Sequence, residues 1–77
     1  MKTFNELDTV VLKRDDNPCG LKAGDIGTVV HIYDAKSAAE VEFVTGGGKT
    51  VAVMTLTDLE FRPLGRRDIL HARQMAI

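Results

Sequence analysis

The side chains that could do chemistry are few, and their spacing argues against catalysis. The 77-residue chain has one cysteine, Cys19, and two histidines, His31 and His71. A nucleophilic pair would need Cys19 and His31 in hydrogen-bond reach, with a third group orienting the imidazole. No local motif supplies that arrangement, so an incidental loop thiol and a surface histidine are expected instead. One cysteine and two histidines do not form a spaced zinc set. Asp15-Asp16-Asn17 has the composition of a calcium loop but lacks the distal bidentate glutamate. Gly46-Gly47-Gly48-Lys49-Thr50 ends like a phosphate loop. The full motif wants glycine where this chain has Phe43, and a helix where Val51 onward reads as strand. No catalytic residue, metal or cofactor is expected, and the chain reads as a non-enzyme.

Charge says more than its sum. The net charge is −1. Residues 1–61 carry −4, whereas residues 62–77 carry +3 from Arg62, Arg66, Arg67 and Arg73 against Asp68. An acidic body bears a basic tail. Nucleic-acid barrels usually present a basic face with exposed aromatics. Here the body would repel phosphate, so nucleic acid is a demoted partner. Arg62, Arg66 and Arg67 still offer a local contact. Proline-peptide grooves need several aromatics. Beyond the expected core this chain has only Tyr33 and Phe4, which disfavours such a ligand.

A lone cysteine cannot form an internal disulfide, which excludes a disulfide scaffold. The start, Met1-Lys2-Thr3-Phe4-Asn5-Glu6, shows no apolar signal core. No apolar run approaches the roughly 20 residues of a membrane span. A cytoplasmic location and no membrane contact are expected.

The elements that must position these residues are short strands. Thr9 to Leu12 is a β-branched run. Asp15 to Gly20 packs turn formers around Pro18. Ile26 to Tyr33 is the longest strand candidate, and Gly27 inside it indicates a bulge or a close backbone approach. Ala39 to Val44 alternates, with Val41 and Phe43 inward and Glu40 and Glu42 outward. A Thr45–Lys49 loop leads to Thr50–Leu56, whose continuous apolar content indicates burial on both faces or an interface. Thr57-Asp58 fits the cap of a helical turn. Leu59 to Arg62 is a last strand ended by Pro63. Val10, Leu12, Ile26, Val29, Ile32, Val41, Phe43, Val53 and Phe61 form the expected core. Five strands with regular turns indicate a small barrel or sandwich. Residues 65–77 lack a β-branched run, and Ile69, Ala72 and Ala76 fall on one helical stripe, which predicts a short helix.

Gly24-Asp25-Ile26-Gly27-Thr28-Val29-Val30-His31-Ile32, with glycines three apart and aliphatics behind them, resembles the core of KOW-type SH3-like barrels. A closer likeness spans residues 4–64. It runs through Leu7 to Leu12, Leu21 to Val30, Glu40 to Phe43, Thr50 to Val53 and Leu59 to Pro63. That order resembles the bacterial family known as domain of unknown function 4926. The resemblance implies a fold and no activity, and it implies nothing for residues 65–77.

The expected architecture is an all-β, five-stranded SH3-like barrel over residues 1–64, with a basic, helical tail over residues 65–77. The expected function is a non-enzymatic binding module or accessory protein that engages another protein. Alternatives from other classes are a nucleic-acid-associated KOW-like barrel and an accessory subunit of an enzyme or of a toxin–antidote pair. The candidate partner-binding residues are Tyr33, Arg62, Arg66, Arg67, Ile69 and Arg73. The tail helix, packed on an acidic, apolar surface, would give a homo-oligomer or hold a partner.

Overall fold

The computed structural model describes residues 4–34 and 37–75. Five strands run in chain order: β1 Thr9–Leu12, β2 Ile26–Asp34, β3 Ala38–Val44, β4 Thr50–Thr57 and β5 Phe61–Pro63. All neighbours pair antiparallel in one sheet of order β4-β3-β2-β1-β5. The chain is therefore all-β.

One face of this sheet makes the core. β3 alternates as the sequence predicts: Ala39, Val41 and Phe43 are buried, while Glu40 and Glu42 are half-exposed. Val10 and Leu12 from β1, Val29 from β2, Leu56 from β4 and Phe61 from β5 join the same cluster, with Leu21. Phe4 closes it, its ring edge-on to Phe61 at a centroid distance of 5.0 Å. Truncating such a fully buried residue costs about 2–5 kcal/mol.

Two departures from the expected core have one cause each. β2 shifts register between Val29 and His31. The extra residue moves the inward phase, so Gly27, Val29 and Ile32 face the core side and Ile26 stands 36% exposed. β4 is apolar in both phases, so its sequence does not say which parity faces in. The pairing Phe43↔Ala52, Val41↔Met54 and Ala39↔Leu56 puts those residues inward. Val53 falls opposite Glu42 and is 50% exposed.

The bulge sits at Val30, and Gly27 supplies the close approach. A Cβ on Gly27 would lie 2.6 Å from Val41 Cγ1, 2.8 Å from Phe43 Cε2 and 3.0 Å from the Glu42 carbonyl oxygen. Gly24, at φ +97°, provides the left-handed turn that leads into this strand.

Connections tie the sheet ends together. The Leu7 N–H donates to Val29 O at 2.7 Å, and Val29 N–H donates to Asp8 O at 2.9 Å. The expected loop at Asp15–Gly20 contains a 3₁₀ turn, Asn17–Cys19, whose N–H at Cys19 donates to the Asp16 carboxylate. The turn expected near Thr57 is a hydrogen-bonded turn, not a helix. Glu60 N–H donates to Thr57 O, and Thr57 N–H donates back to Glu60 Oε1, both at 2.9 Å. Arg14 Nε donates to the other Glu60 oxygen at 2.8 Å, which joins the end of β1 to this turn.

The predicted tail helix does not form among residues 65–75. The chain makes one turn at Arg66-Arg67 and then runs without regular structure. Isolated helices this short are marginal in water. Here Asp68 and Arg73 are both engaged by other parts of the chain. Ile69, the first residue of the supposed stripe, is 89% exposed. Ala76 and Ile77 lie outside the described residues. No helix among the described residues is long and apolar enough to cross a membrane.

Replacing Gly27 with alanine forces a side chain into the β2–β3 contact. It should destabilise the fold by about 1–3 kcal/mol in urea unfolding, the usual cost of overpacking. Gly46→Ala, at a position where nothing lies within 4 Å, is the control and should change stability by less than about 0.5 kcal/mol. Equal midpoints for the two variants would remove Gly27 from this role.

Candidate functional site

The tail folds back over the body and roofs a cleft. Leu64 N–H still donates to Thr9 O, extending the β5–β1 pairing by one bond. A tie follows at once. The Arg62 guanidinium donates to both oxygens of Asp68, at 2.8 and 2.9 Å, and Gly65 N–H donates to Asp68 Oδ2 at 2.6 Å. Asp68 thus closes the turn through Arg66 and Arg67.

The second tie is Arg73. Its Nε donates to Asp25 Oδ1 at 2.8 Å, and its Nη2 donates to the Gly20 carbonyl at 2.9 Å. Asp25 is itself held by Lys22 N–H at 2.9 Å. The planar fork of arginine suits this two-point grip. Beyond it, Met75 settles over Gly20. A Cβ there would come 3.2 Å from Met75 Cε.

Between roof and body lies a cleft of about 580 Å³. Its floor is Leu21, Ile26, Phe43 and Val51, its rim Thr45 and Gly46, and its roof His71 to Met75. A smaller cavity of about 190 Å³ lies on the other side of the Asp25–Arg73 bridge. Asp25, Ile26, His71 and Arg73 line both. The arrangement is an apolar trough with one ion pair across it and one imidazole at its lip.

The electrostatics follow the contacts. Asp68 is drawn down from 3.8 to about 2, first by the Arg62 hydrogen bonds and then by Gly65 N–H. For Asp25 the largest single effect is burial, which raises its pKa. The bonds from Arg73 and from Lys22 N–H together outweigh it and leave the carboxyl below its ordinary value. Glu60 is lowered by Thr57 N–H and then by Arg14.

The structure divides the six candidate residues. Arg62 and Arg73 are both ion-paired within the chain. Arg66 and Arg67 are exposed in the turn, with no carboxylate partner among the described residues. Ile69 is exposed beside them and lines the smaller cavity. Tyr33 lines neither cavity. Its hydroxyl donates to Glu40 Oε1 at 3.1 Å, and its ring stands edge-on to His31 at 4.7 Å. Thr55 donates to the same glutamate oxygen, and Thr50 donates to Glu42. This outer face of β2, β3 and β4 is a separate acidic surface.

No hydrogen bond joins Cys19 to His31 among the described residues, and no three His, Cys, Asp or Glu side chains there group to hold a metal ion. The sequence reading missed Asp25 and the Gly20 carbonyl, which hold Arg73. Both sit among turn formers, and their use depends on where the tail runs.

A single five-stranded antiparallel sheet, folded over one core and overlaid by its own tail, defines a small all-β domain. Residues 6–63 match a family model described as domain of unknown function (DUF4926), and the chain belongs to that family. The match ends at the last residue of β5, so the tail lies outside it. No curated protein and no solved structure matches the chain.

The Asp68 shift sets a pH window. Its folded value lies below the unfolded one, so the pair stabilises fully above about pH 4 and is lost as pH falls through about 2. An NMR titration should place the Asp68 midpoint near 2 and return it toward 3.8 in Arg62→Gln; a wild-type midpoint near 4 would refute the tie. Arg73→Gln should leave the midpoint of global unfolding nearly unchanged, because a solvent-exposed pair adds little to overall stability. It should nevertheless lower the backbone order of residues 71–75 measured by NMR relaxation. Unchanged order there would mean that Arg73 does not hold the tail.

Proposed function

We propose that the protein is a non-enzymatic binding module with an SH3-like barrel architecture, and that it takes an extended apolar segment of another protein in the cleft beneath its tail. The cleft carries this reading. Its volume falls in the range of ligand sites, about 300–1,000 Å³, and such sites are mostly apolar with a few fixed polar groups. Leu21, Ile26, Phe43 and Val51 offer the apolar wall, while Asp25, Arg73 and His71 offer polar contacts to a bound backbone. The roof is held at Arg73 by a partly exposed ion pair with Asp25 and a bond to the Gly20 carbonyl. Such solvent-exposed pairs add little to stability, so a ligand can displace or share the roof.

The barrel reading draws support from the strand order, in which β2, β3 and β4 form a meander and β1 lies between β2 and β5. Core residues from all five strands meet in one cluster. The non-enzymatic reading rests on the lack of a nucleophile–base pair among the described residues. Nucleic acid is the poorer partner, since only Arg66 and Arg67 of the four tail arginines are left to meet phosphate beside an acidic body.

Gly46 allows a clean test, because it sits on the cleft rim with open space where a side chain would project. Gly46→Trp should fill the trough and leave thermal stability unchanged. Affinity capture from a host extract, followed by mass spectrometry, should recover a protein with the wild type and lose it with the variant. Identical recoveries from the two would overturn the cleft as the binding site.

A further inference from the structure

We infer that the free edge of β4 pairs with the same edge of a second copy, so that two sheets join into one continuous ten-stranded sheet. The inference starts from composition. Thr50–Thr57 reads Thr-Val-Ala-Val-Met-Thr-Leu-Thr. It has no charge, no proline and no glycine over eight residues. Edge strands of monomeric proteins are normally blunted by lysine, proline or an inward charge, because their unpaired N–H and C=O groups recruit other strands. β4 stands at the end of the sheet order and carries none of these devices along its length. A register shift at its start, opposite Phe43 and Val44, leaves the run from Ala52 onward regular.

The hydrogen-bond phase identifies the free groups. In an antiparallel ladder, both backbone groups of a residue point to the same side, and the side alternates along the strand. Thr57 exchanges its N–H and C=O with Glu60, so it points away from β3. Val53 and Thr55 share that phase. Val29 bonds to Asp8 and Leu7, so its partner Val41 turns its groups toward Met54, which leaves Val53 and Thr55 as non-hydrogen-bonded partners of Glu42 and Glu40. Among the described residues, no backbone bond from outside the β3–β4 ladder reaches either one. The unpaired groups are therefore two donors and two acceptors in a row, ended by the Glu60 cap.

That set is self-complementary. A two-fold axis at Met54 brings Val53 opposite Thr55 of the second copy and Thr55 opposite its Val53. Four hydrogen bonds form, and no donor or acceptor on these two residues is left over. The half-exposed Val53 side chain gains a cross-strand neighbour, a pairing worth roughly 0.2–1 kcal/mol on each side of the axis. Charge does not oppose the approach. Glu42 and Glu40 lie one strand back, opposite Val53 and Thr55. Across the new junction, each meets the other copy's acidic row three strand spacings away. That is about 14 Å, beyond the Debye length of about 8 Å at physiological salt. A basic strand from another protein would gain little from the same edge, because the edge itself has no charge to meet it.

This surface is separate from the cleft beneath the tail, and its test stands apart. Light scattering on the full chain should show a mass rising with concentration toward twice the 8.4 kDa of one chain. Val53→Pro removes one outward N–H that β3 does not use, so the monomer should keep its circular dichroism and fall to the single-chain mass. Val53→Thr should keep the dimer. In a Cys19→Ser background, Met54→Cys should form a disulfide-linked dimer under mild oxidation. Residues facing each other in a non-hydrogen-bonded pair lie about 4.5 Å apart at Cα, within the range a disulfide spans. A single-chain mass at every concentration would overturn the inference. So would a dimer that survives Val53→Pro while Met54→Cys fails to cross-link.

Discussion

The closest constraint in the molecule is the meeting of β2 with β3 at Gly27. The backbone there passes so near Val41, Phe43 and the Glu42 carbonyl that no side chain fits. That approach lays the β2 backbone directly against Val41 and Phe43, two members of the core cluster that also holds Phe4, Leu21 and Phe61. A chain this small buries a modest fraction of its surface. Among the described residues a single sheet supplies most of the core cluster, so stability rests on how closely its strands pack.

Much of this was legible in the residues. The strands fall within two residues of where β-branched runs and turn formers place them, because period-two patterning survives wherever one face is polar. Glu40 and Glu42, alternating with Val41 and Phe43, left β3 no choice. β4 offered both parities, and only pairing with β3 selected Ala52, Met54 and Leu56 for the inside. Ile26 was misplaced because a bulge two turns of the pleat later is set by the partner strand, not by its own residues.

The site was less legible. The charge contrast between body and tail was visible, and so was the chance that the tail would dock. Its conformation was not. A stripe of Ile69, Ala72 and Ala76 satisfies helical spacing, but propensity in a short segment yields to long-range anchors. Arg62 to Asp68 and Arg73 to Asp25 fix the tail at two points and lay it across the trough. The second of these spans 48 residues, and no local rule finds a partner at that separation.

The strand order has a consequence for how the chain acquires its shape. β2, β3 and β4 follow one another through short connections, so each can zip onto the last at little entropic cost. β1 is different. It pairs with β5, and Leu12 meets Phe61 only after the whole meander between them has been gathered. Closing so long a loop is the slow event in small β domains. The Arg14–Glu60 contact lies beside that junction. It can form only once that junction has closed.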